Sequence, residues 1–447
     1  MNLPEYAASC IAALENAGFS AYAVGGCVRD MSLGLTPQDY DLCTNALPHQ
    51  IQAVFQNQKL VLAGEKHGTV GVVTDGGVVE ITTYRTEGDY LDHRHPNRVD
   101  FVDHIDSDLA RRDFTVNAMA WSPLRGFADP FGGRQDLCAR ILRAVGDPEK
   151  RFEEDALRIL RGVRFAVRYR LTVDPATMNA MTRLAPLMDT LARERVFDEL
   201  CKLLPLVTAE DLLRFAPILI QVIPELKETV GFDQRSPHHL FDVFTHTAVV
   251  VEGVPPILSL RLAALLHDVG KPATFTLDET GRGHFRGHAE AGAEIADRIL
   301  LRLKAPTALR KLVIFLIEKH MLPQTPDKKL LRRRLSQYGE ENLRLLLLLQ
   351  LADFCGKGVL ADPSFFEEIR TVLAEILAEN ACLQVSDLEI NGHDLIALGI
   401  TGPAIGQSLH WLLSQVLDEQ LPNEKAALLN ALKLHFLKQN NTPSKGL

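Results

Sequence analysis

The stretch GGCVRDMSLGLTPQDYDL, residues 25–42, joins a glycine pair and Arg29 to two aspartates, Asp39 and Asp41. On a strand, residues i and i+2 point to one face. The two carboxylates can therefore present themselves to one hard cation or to a pair of them. Oxygen ligands of this kind suit Mg²⁺, which keeps several waters and bridges to substrate phosphates. The glycines permit close backbone approach, and free N–H groups where a helix begins attract phosphate. Gly26 and Arg29 thus belong to a candidate phosphate cradle, and Glu80 in VVEITTYR can bring a third carboxylate from a neighbouring strand. Taken alone, D-Y-D also reads as a solvated strand end, and Glu80 as an exposed strand position.

A second set lies in RFEEDALRILRGVRFAVR, where Asp155, Arg158, Arg161 and Arg164 recur every third residue. On a helix this spacing drifts by about −60° per step. Asp155 then sits near Arg158 and Arg158 near Arg161, while Arg164 is turned further round, to meet phosphate or to brace the helix. The plainer reading is an amphipathic helix with i,i+4 pairs such as Glu154–Arg158. A third set gathers His246, His267 and Asp268, with His288, His320 and Asp353 on later segments. Imidazole with carboxylate suits Mn²⁺ or Ni²⁺ more than bare Mg²⁺, and a cation held there activates water for phosphoester hydrolysis. Lys271, after HDVG, is placed to attract phosphate. The alternative is a set of hydrogen-bonded histidines that hold helices together. His238, His239 and His284 read as turn or surface residues.

These residues need elements to carry them. The chain has 447 residues, too many for one core, which predicts two to four domains. AYAVGG reads as a strand entering a turn, Val28–Leu33 as a helical turn closed by Gly34, YDLCT as a second strand and LPHQIQAVF as a helix with Pro48 in its first turn. GTVGVVT and GGVVEITTYR predict a hairpin across Asp75-Gly76-Gly77. After GDPEK (146–150) the pattern becomes helical: 151–170, 175–188, 192–206, 208–221, 238–253, 257–269, 288–302, 307–319, 328–337 and 340–353, with more to about 437. The expected divisions are 1–145, 146–206, 207–370 and 371–447.

Net charge is −9, which argues against non-specific wrapping of nucleic acid. Locally the sign reverses: residues 140–170 hold nine Arg/Lys against five Asp/Glu, and KKLLRRR (328–334) has five basic residues in seven. These mark where a polyanion would sit, or solvated faces. The N-terminus lacks a basic region ahead of an apolar run, and LRLLLLLQLADF is too short to span a bilayer. A cytoplasmic protein without a membrane partner is expected. The seven cysteines, without a CxxC pair, predict reduced and mostly buried thiols.

Several motifs together resemble the class II tRNA nucleotidyltransferase/poly(A) polymerase family, within the polymerase-β-like nucleotidyltransferases. They are GGCVRDMSLGLTPQDYDLCTNALP, then EITTYRTEGDYLDHRHPNRVDFV (80–102), LARRDFTVNAMAW (109–121), DPFGGRQDL (129–137), RFEEDALRILRGVRFAVRY (151–169) and a tail motif over 388–424. The resemblance covers nearly the whole chain in family order. It implies an α/β nucleotidyltransferase head, polymerase-β-like, followed by an extended all-α neck, body and tail containing an HD domain. It also implies that Asp39 and Asp41 hold the catalytic Mg²⁺. Gly26 and Arg29 would contact the triphosphate, and Arg111, Arg112 and Asp113 would organise it with Asn117 in support. Asp155 and Arg158 would read the Watson–Crick edge of the incoming base. Aspartate accepts from the exocyclic amine that cytosine and adenine carry and uracil lacks, which suits addition of C, C and A from CTP and ATP.

The partners implied are the acceptor end and elbow of tRNA, with the protein a monomer or homodimer. The histidine set resembles the HD-domain metal site of phosphohydrolases, active on phosphoesters in some bacterial members. Within the fold, CC-adding, A-adding or poly(A)-forming relatives share these motifs, and the 84–101 segment with its DHRHP core favours the full reaction. A different class of reading makes the HD site the main activity and the head a binding module; a third is a non-catalytic tRNA-binding protein. Loss of an aspartate from DYD, or of RRD, would favour these, and neither is missing.

Overall fold

The structure, a computed structural model, describes residues 1–87, 99–236, 240–358, 362–379 and 381–440. The DHRHP core, His238, His239 and the last seven residues lie outside them. The chain forms two compact units: Met1–Lys227 with Ile299–Ala305, and Glu228–Arg298 with Pro306–Leu447.

The first unit is built on a seven-stranded mixed sheet. Its spatial order is Leu60–Val61, Thr69–Thr74, Gly77–Thr83, Leu42–Thr44, Ala21–Val24, Ala120–Ser122 and Gly126–Ala128. Only Leu42–Thr44 and Gly77–Thr83 run parallel; the other neighbours are antiparallel. The predicted hairpin forms with Thr74 opposite Gly77, turning through Asp75-Gly76 as the D-G signal requires. Helix Glu5–Asn16 covers the sheet with Ala7, Cys10, Ile11 and Leu14, an i, i+3, i+4, i+7 stripe.

The predicted helix over 151–170 is two helices, Pro148–Glu154 and Leu157–Tyr169. The break falls at Asp155, whose backbone is extended (φ −141°, ψ 102°). Its carboxylate caps the second helix instead, accepting from Leu157 N–H at 3.0 Å. Phe114, fully buried, packs against Phe152 of the first helix and Phe165 of the second, with ring centroids 6.4 and 5.9 Å away. The predicted helices 192–206 and 208–221 also shorten, to Arg193–Leu203, Ala209–Arg214 and Ala216–Val222. Pro205 and Pro217 remove the N–H groups that continuity needs.

The second unit is helical. Val243–Gly253 starts later than 238 because Asp242 caps it, accepting from the Phe244 and Thr245 N–H groups. Leu258–Leu266 ends just before His267 and Asp268. Thr307–Lys319, Lys328–Tyr338, Glu340–Cys355 and Ser364–Ala378 follow, and Pro403–Leu417 packs in a C-terminal core with Leu395, Leu428 and Leu432. The KKLLRRR run is largely engaged by acids of the same unit. Lys328 and Arg332 pair with Glu379, Arg332 also with Glu419, and Arg333 with Asp418 at 2.5 Å, while Arg334 is buried and donates to the Pro323 carbonyl.

The seven cysteines are free, but burial was overestimated: only Cys10, Cys27 and Cys43 are buried, and Cys138 and Cys355 are exposed. Among the described residues no helix is long and apolar enough to cross a membrane.

Phe114 joins the sheet domain to both following helices. Replacing it with alanine is expected to destabilise the first unit by ~3–5 kcal/mol, the usual range for deleting a buried ring. A denaturant titration followed by tryptophan fluorescence and circular dichroism checks this. A loss under ~1 kcal/mol would show that the ring is not a joint.

Candidate functional site

A cleft of about 430 Å³ opens in the first unit. Gly26, Arg29, Asp41, Arg111, Arg112, Asp113, Asn117, Asp155, Arg158, Arg161 and Arg164 all line it. The strand predicted for YDLCT begins only at Leu42, so Asp39 and Asp41 lie in the segment leading into it. Pairing nonetheless reaches one residue further, since Val24 N–H donates to the Asp41 carbonyl at 3.0 Å. Both aspartates have exposed side chains. Protein crowded around the Asp41 carboxyl, and then repulsion from Asp39 and Glu80, raise it to about 6 against the pull of Arg112. Three carboxylates near enough to repel one another, open to solvent, fit a divalent cation.

Gly25 enters the helix Gly26–Ser32 with φ +73°. That conformation calls for glycine; a Cβ there would also push on Arg112 Nη1, 2.7 Å away at the free end of its side chain. The sequence pointed to Gly26; the position whose backbone calls for glycine is Gly25.

The arginines are each held by a carboxylate. Arg111 Nε and Nη2 donate to Asp108 Oδ1 at 3.0 and 2.9 Å, and Arg112 Nη2 donates to Asp108 Oδ2 at 3.2 Å. Asp108 is 1 % exposed; burial pushes its carboxyl up, but Arg112 and Arg111 outweigh this and hold it low. Asp113 accepts from Phe114 N–H, Asn117 Nδ2 and Arg161 Nε at 2.9, 3.0 and 2.9 Å. Burial opposes its charge, yet Arg161 and Asn117 bring it down to about 2. Arg29 is buried, donates to Asp30, Asn117 and the Tyr169 hydroxyl, and stacks 4.2 Å from the Tyr169 ring.

Because of the break at Asp155, the two residues expected to read a base are not neighbours on one helix. Both line the cleft, but Asp155 Oδ2 accepts from Arg195 Nη2 at 3.0 Å and Arg158 Nη1 donates to Glu154 Oε2 at 2.6 Å. Arg158 also donates to the Arg151 and Arg111 carbonyls, both at 3.1 Å. Arg164 braces: its Nε donates to Glu199 Oε2 at 2.6 Å. Sequence reasoning missed Asp108, Tyr169, Arg195 and Glu199. The last two stand at an i,i+4 spacing in RERVFDE, and only the fold brings Arg195 to this cleft and Glu199 to Arg164.

The second unit holds the histidine set at a cavity of about 570 Å³ that Asp268, Lys271, His288, His320 and Asp353 line. Each ring is pinned at Nδ1 by a backbone carbonyl: His246 by Gly356 (3.0 Å), His267 by Ala264 (2.8 Å), His288 by Phe285 (2.7 Å) and His320 by Ile317 (2.6 Å). A carbonyl only accepts, so in a neutral ring the proton is on Nδ1 and the Nε2 lone pair faces inward. The Nε2 atoms converge: His246 lies 3.4 Å from His267, and His288 lies 3.2 Å from His320.

Asp268 joins both pairs, and ligand atoms of His246, His267 and Asp268, and of Asp268, His288 and His320, lie within 4.8 Å of one another. Asp353, the distal residue, reaches His246 Nε2 at 3.0 Å. Burial, then His267, pushes His320 down to about 4, and burial lowers His288. For His267, Asp268 and Asp353 overcome burial and raise it. Lys271 Nζ is 2.6 Å from Asp268 Oδ2, yet among the described residues no donor meets that buried oxygen with hydrogen-bond geometry. Inward nitrogen lone pairs around an unsatisfied carboxylate oxygen fit a transition-metal site. Gly270 allows this turn to close, since a Cβ there would lie 2.4 Å from the His288 carbonyl and 2.6 Å from Gly292 N.

Comparison with known proteins agrees with this division. The chain matches the poly A polymerase head domain over residues 21–143, a probable RNA and SrmB-binding site of polymerase A over 170–229, and the HD domain over 238–355. A CCA-adding enzyme of Geobacillus stearothermophilus is 44% identical over 216 residues, 48% of this chain and 50% of that one. The CCA-adding enzyme of Levilactobacillus brevis is 34% identical over 96% of this chain and 97% of its own length. Among solved structures, the Bacillus stearothermophilus CCA-adding enzyme in complex with CTP superposes with a TM-score of 0.72 at 28% identity, covering 98% of this chain and 99% of that one. A Thermotoga maritima CCA-adding enzyme complexed with tRNA, at 21% identity and a TM-score of 0.59, shares the fold. With relatives aligned from end to end around an α/β head and an HD-containing helical body, the chain belongs to the family of CCA-adding enzymes, the nucleotidyltransferases of tRNA 3′ ends.

Proposed function

We propose that this chain completes tRNA 3′ ends, adding C, C and A from CTP and ATP and releasing pyrophosphate at the cleft of the first unit. The observation that carries the reading is the convergence of Asp41, a glycine turn and carboxylate-braced arginines in one cleft, with Asp39 and Glu80 near enough to raise Asp41. Arg111, Arg112 and Arg161 receive the triphosphate, Asp108 and Asp113 fix their forks, and Gly25 and Gly26 let the backbone come close. Asp39 and Asp41 hold Mg²⁺, which when bound neutralises charge on the phosphates. They also draw the proton from the tRNA 3′-hydroxyl as its oxygen bonds to the α-phosphorus and the bond to pyrophosphate breaks. Asp155 and Arg158 choose the base. The neck and later helices take the acceptor end and elbow of tRNA by phosphate and shape contacts. The reading places the protein in the cytoplasm, as a monomer or homodimer.

A second reading concerns the HD cavity. The four anchored imidazoles and Asp268 favour Mn²⁺ or Ni²⁺ and a phosphohydrolase activity. When bound, such an ion activates water, and Lys271, Arg286, Lys319 and Lys357 line the cavity where a phosphate would enter.

Given tRNA lacking its last three nucleotides, the protein is expected to add CCA with CTP and ATP together and to stop at CC with CTP alone. Sequencing-gel resolution of the products checks this. Stalling at CC with both nucleotides, growth only from a CC end, or an unbounded A tail would each refute it. Asp41→Asn is expected to slow addition by at least about 10²–10³-fold, the cost of losing one preorganised charge contact at a reacting centre.

Only the ionised carboxylate ligates, and Asp41 titrates near 6. Protons therefore compete with Mg²⁺ below that pH. Lowering the pH from about 7.5 to about 5.5 should raise the Mg²⁺ needed for half-maximal rate roughly fourfold, since about three quarters of the carboxyl is then protonated. The same Mg²⁺ requirement at both values would contradict the ligand assignment.

For the HD cavity, a His267→Ala/Asp268→Asn double variant should lose Mn²⁺- or Ni²⁺-dependent phosphatase and phosphodiesterase activity while still adding CCA. Absence of hydrolysis in the parent, or equal hydrolysis in the variant, removes that reading.

A further inference from the structure

Asp155 is one of the two residues proposed to read the base, and the structure shows what fixes it. Its Oδ1 accepts from Leu157 N–H at 3.0 Å, and its Oδ2 accepts from Arg195 Nη2 at 3.0 Å. Arg195 comes from a separate helix, Arg193–Leu203, and lines the same cleft. The other terminal nitrogen of Arg195, Nη1, is shut off from solvent and meets no hydrogen-bond partner among the described residues. Leaving a guanidinium arm buried and unpaired is costly. Arg195 is therefore poised at the cleft with one arm committed to Asp155 and one arm unsatisfied.

We infer that Arg195 is a positioning residue for base selection, holding the Asp155 carboxylate in the orientation that accepts from the amine of cytosine or adenine. The inference rests on the reading of Asp155 given above. Asp155 sits in a non-helical link, so its own backbone does not fix its side chain as a helix would. Two contacts from outside do so: the Leu157 N–H holds one oxygen, and Arg195 holds the other. Each oxygen keeps a second lone pair, which leaves the carboxylate able to accept from a base amine. The helix that carries Arg195 is in turn clamped to Leu157–Tyr169 by the buried Arg164–Glu199 pair, 2.6 Å at Nε–Oε2. Without Arg195 the carboxylate turns about its side-chain bonds, and a base that offers a carbonyl in place of an amine is no longer met by a fixed acceptor.

The test compares full-length parent, Arg195→Ala, Arg195→Lys and Asp155→Asn on tRNA lacking its last three nucleotides. Single-nucleotide incorporation of CTP and of UTP is measured separately, giving kcat/KM for each, together with Tm. Arg195→Ala should lower the CTP-to-UTP ratio of kcat/KM roughly tenfold or more, the range for one base-edge contact. Arg195→Lys, a single-point donor in place of a fork, should recover part of it. A fall in Tm or an equal fall for both nucleotides, with the ratio unchanged, would assign Arg195 a purely structural role and overturn the inference. Should Arg195→Ala not fold, Arg195→Lys carries the test, and an unchanged ratio there overturns it equally. Asp155→Asn separates the two levels. If its ratio is also unchanged, the base-reading assignment of Asp155 fails; if its ratio collapses while that of the Arg195 variants does not, only the inference about Arg195 fails.

Discussion

Seven arginines of the cleft are braced by acids close by, and that constraint organises the first unit. Arg29 has Asp30, Arg111 and Arg112 share Asp108, Arg158 has Glu154, Arg161 has Asp113, Arg164 has Glu199 and Arg195 has Asp155. Such pairs are poor sources of stability, because desolvating both partners cancels most of their attraction. Their value is geometric. A guanidinium whose fork is fixed before substrate arrives needs no reorganisation when a polyphosphate enters, and this is the form in which electrostatics contributes most to phosphoryl transfer. Several of the supporting carboxylates are buried, whereas Asp39 and Asp41 remain open.

The same logic links sheet to helix. Asp113 follows the two arginines of the RRD motif and accepts from Arg161 on Leu157–Tyr169, while Asn117 spans from Asp113 to Arg29, and Arg29 reaches Tyr169. One connected set of charge-assisted bonds therefore runs from the glycine turn through the strand-connecting segment to the helix. Phe114 supplies the apolar counterpart between those bonds. Polar precision and apolar packing act on the same joint.

Much of this was legible in the residues. The D-G hairpin, the helix closed by Gly34 and the division between an α/β head and a helical remainder follow from local signals that tertiary contacts did not override. The structure brings His246, His267, Asp268, His288, His320 and Asp353 together; Asp353 came from resemblance, since its approach to His246 depends on how distant helices pack. Two of the failures share a cause. At Asp155 no proline or glycine announces a break, and the periodic apolar stripe runs on. What stops the helix is a carboxylate that serves Leu157 N–H and a guanidinium forty residues later. At KKLLRRR the acids that absorb the charge, Glu379, Asp418 and Glu419, lie far along the chain. Sequence shows where a charge is but not what faces it.

That last pairing bears on how RNA would find the protein. Lys328, Lys329, Arg332 and Arg333 face Glu379, Glu419 and Asp418, so three acids offset much of the positive charge on this face. Long-range steering of a polyanion depends on uncompensated charge, and few condensed counterions would be displaced by docking here. The pairing lowers the share that this face can contribute to a salt-dependent association rate, and shape gains weight in the encounter here.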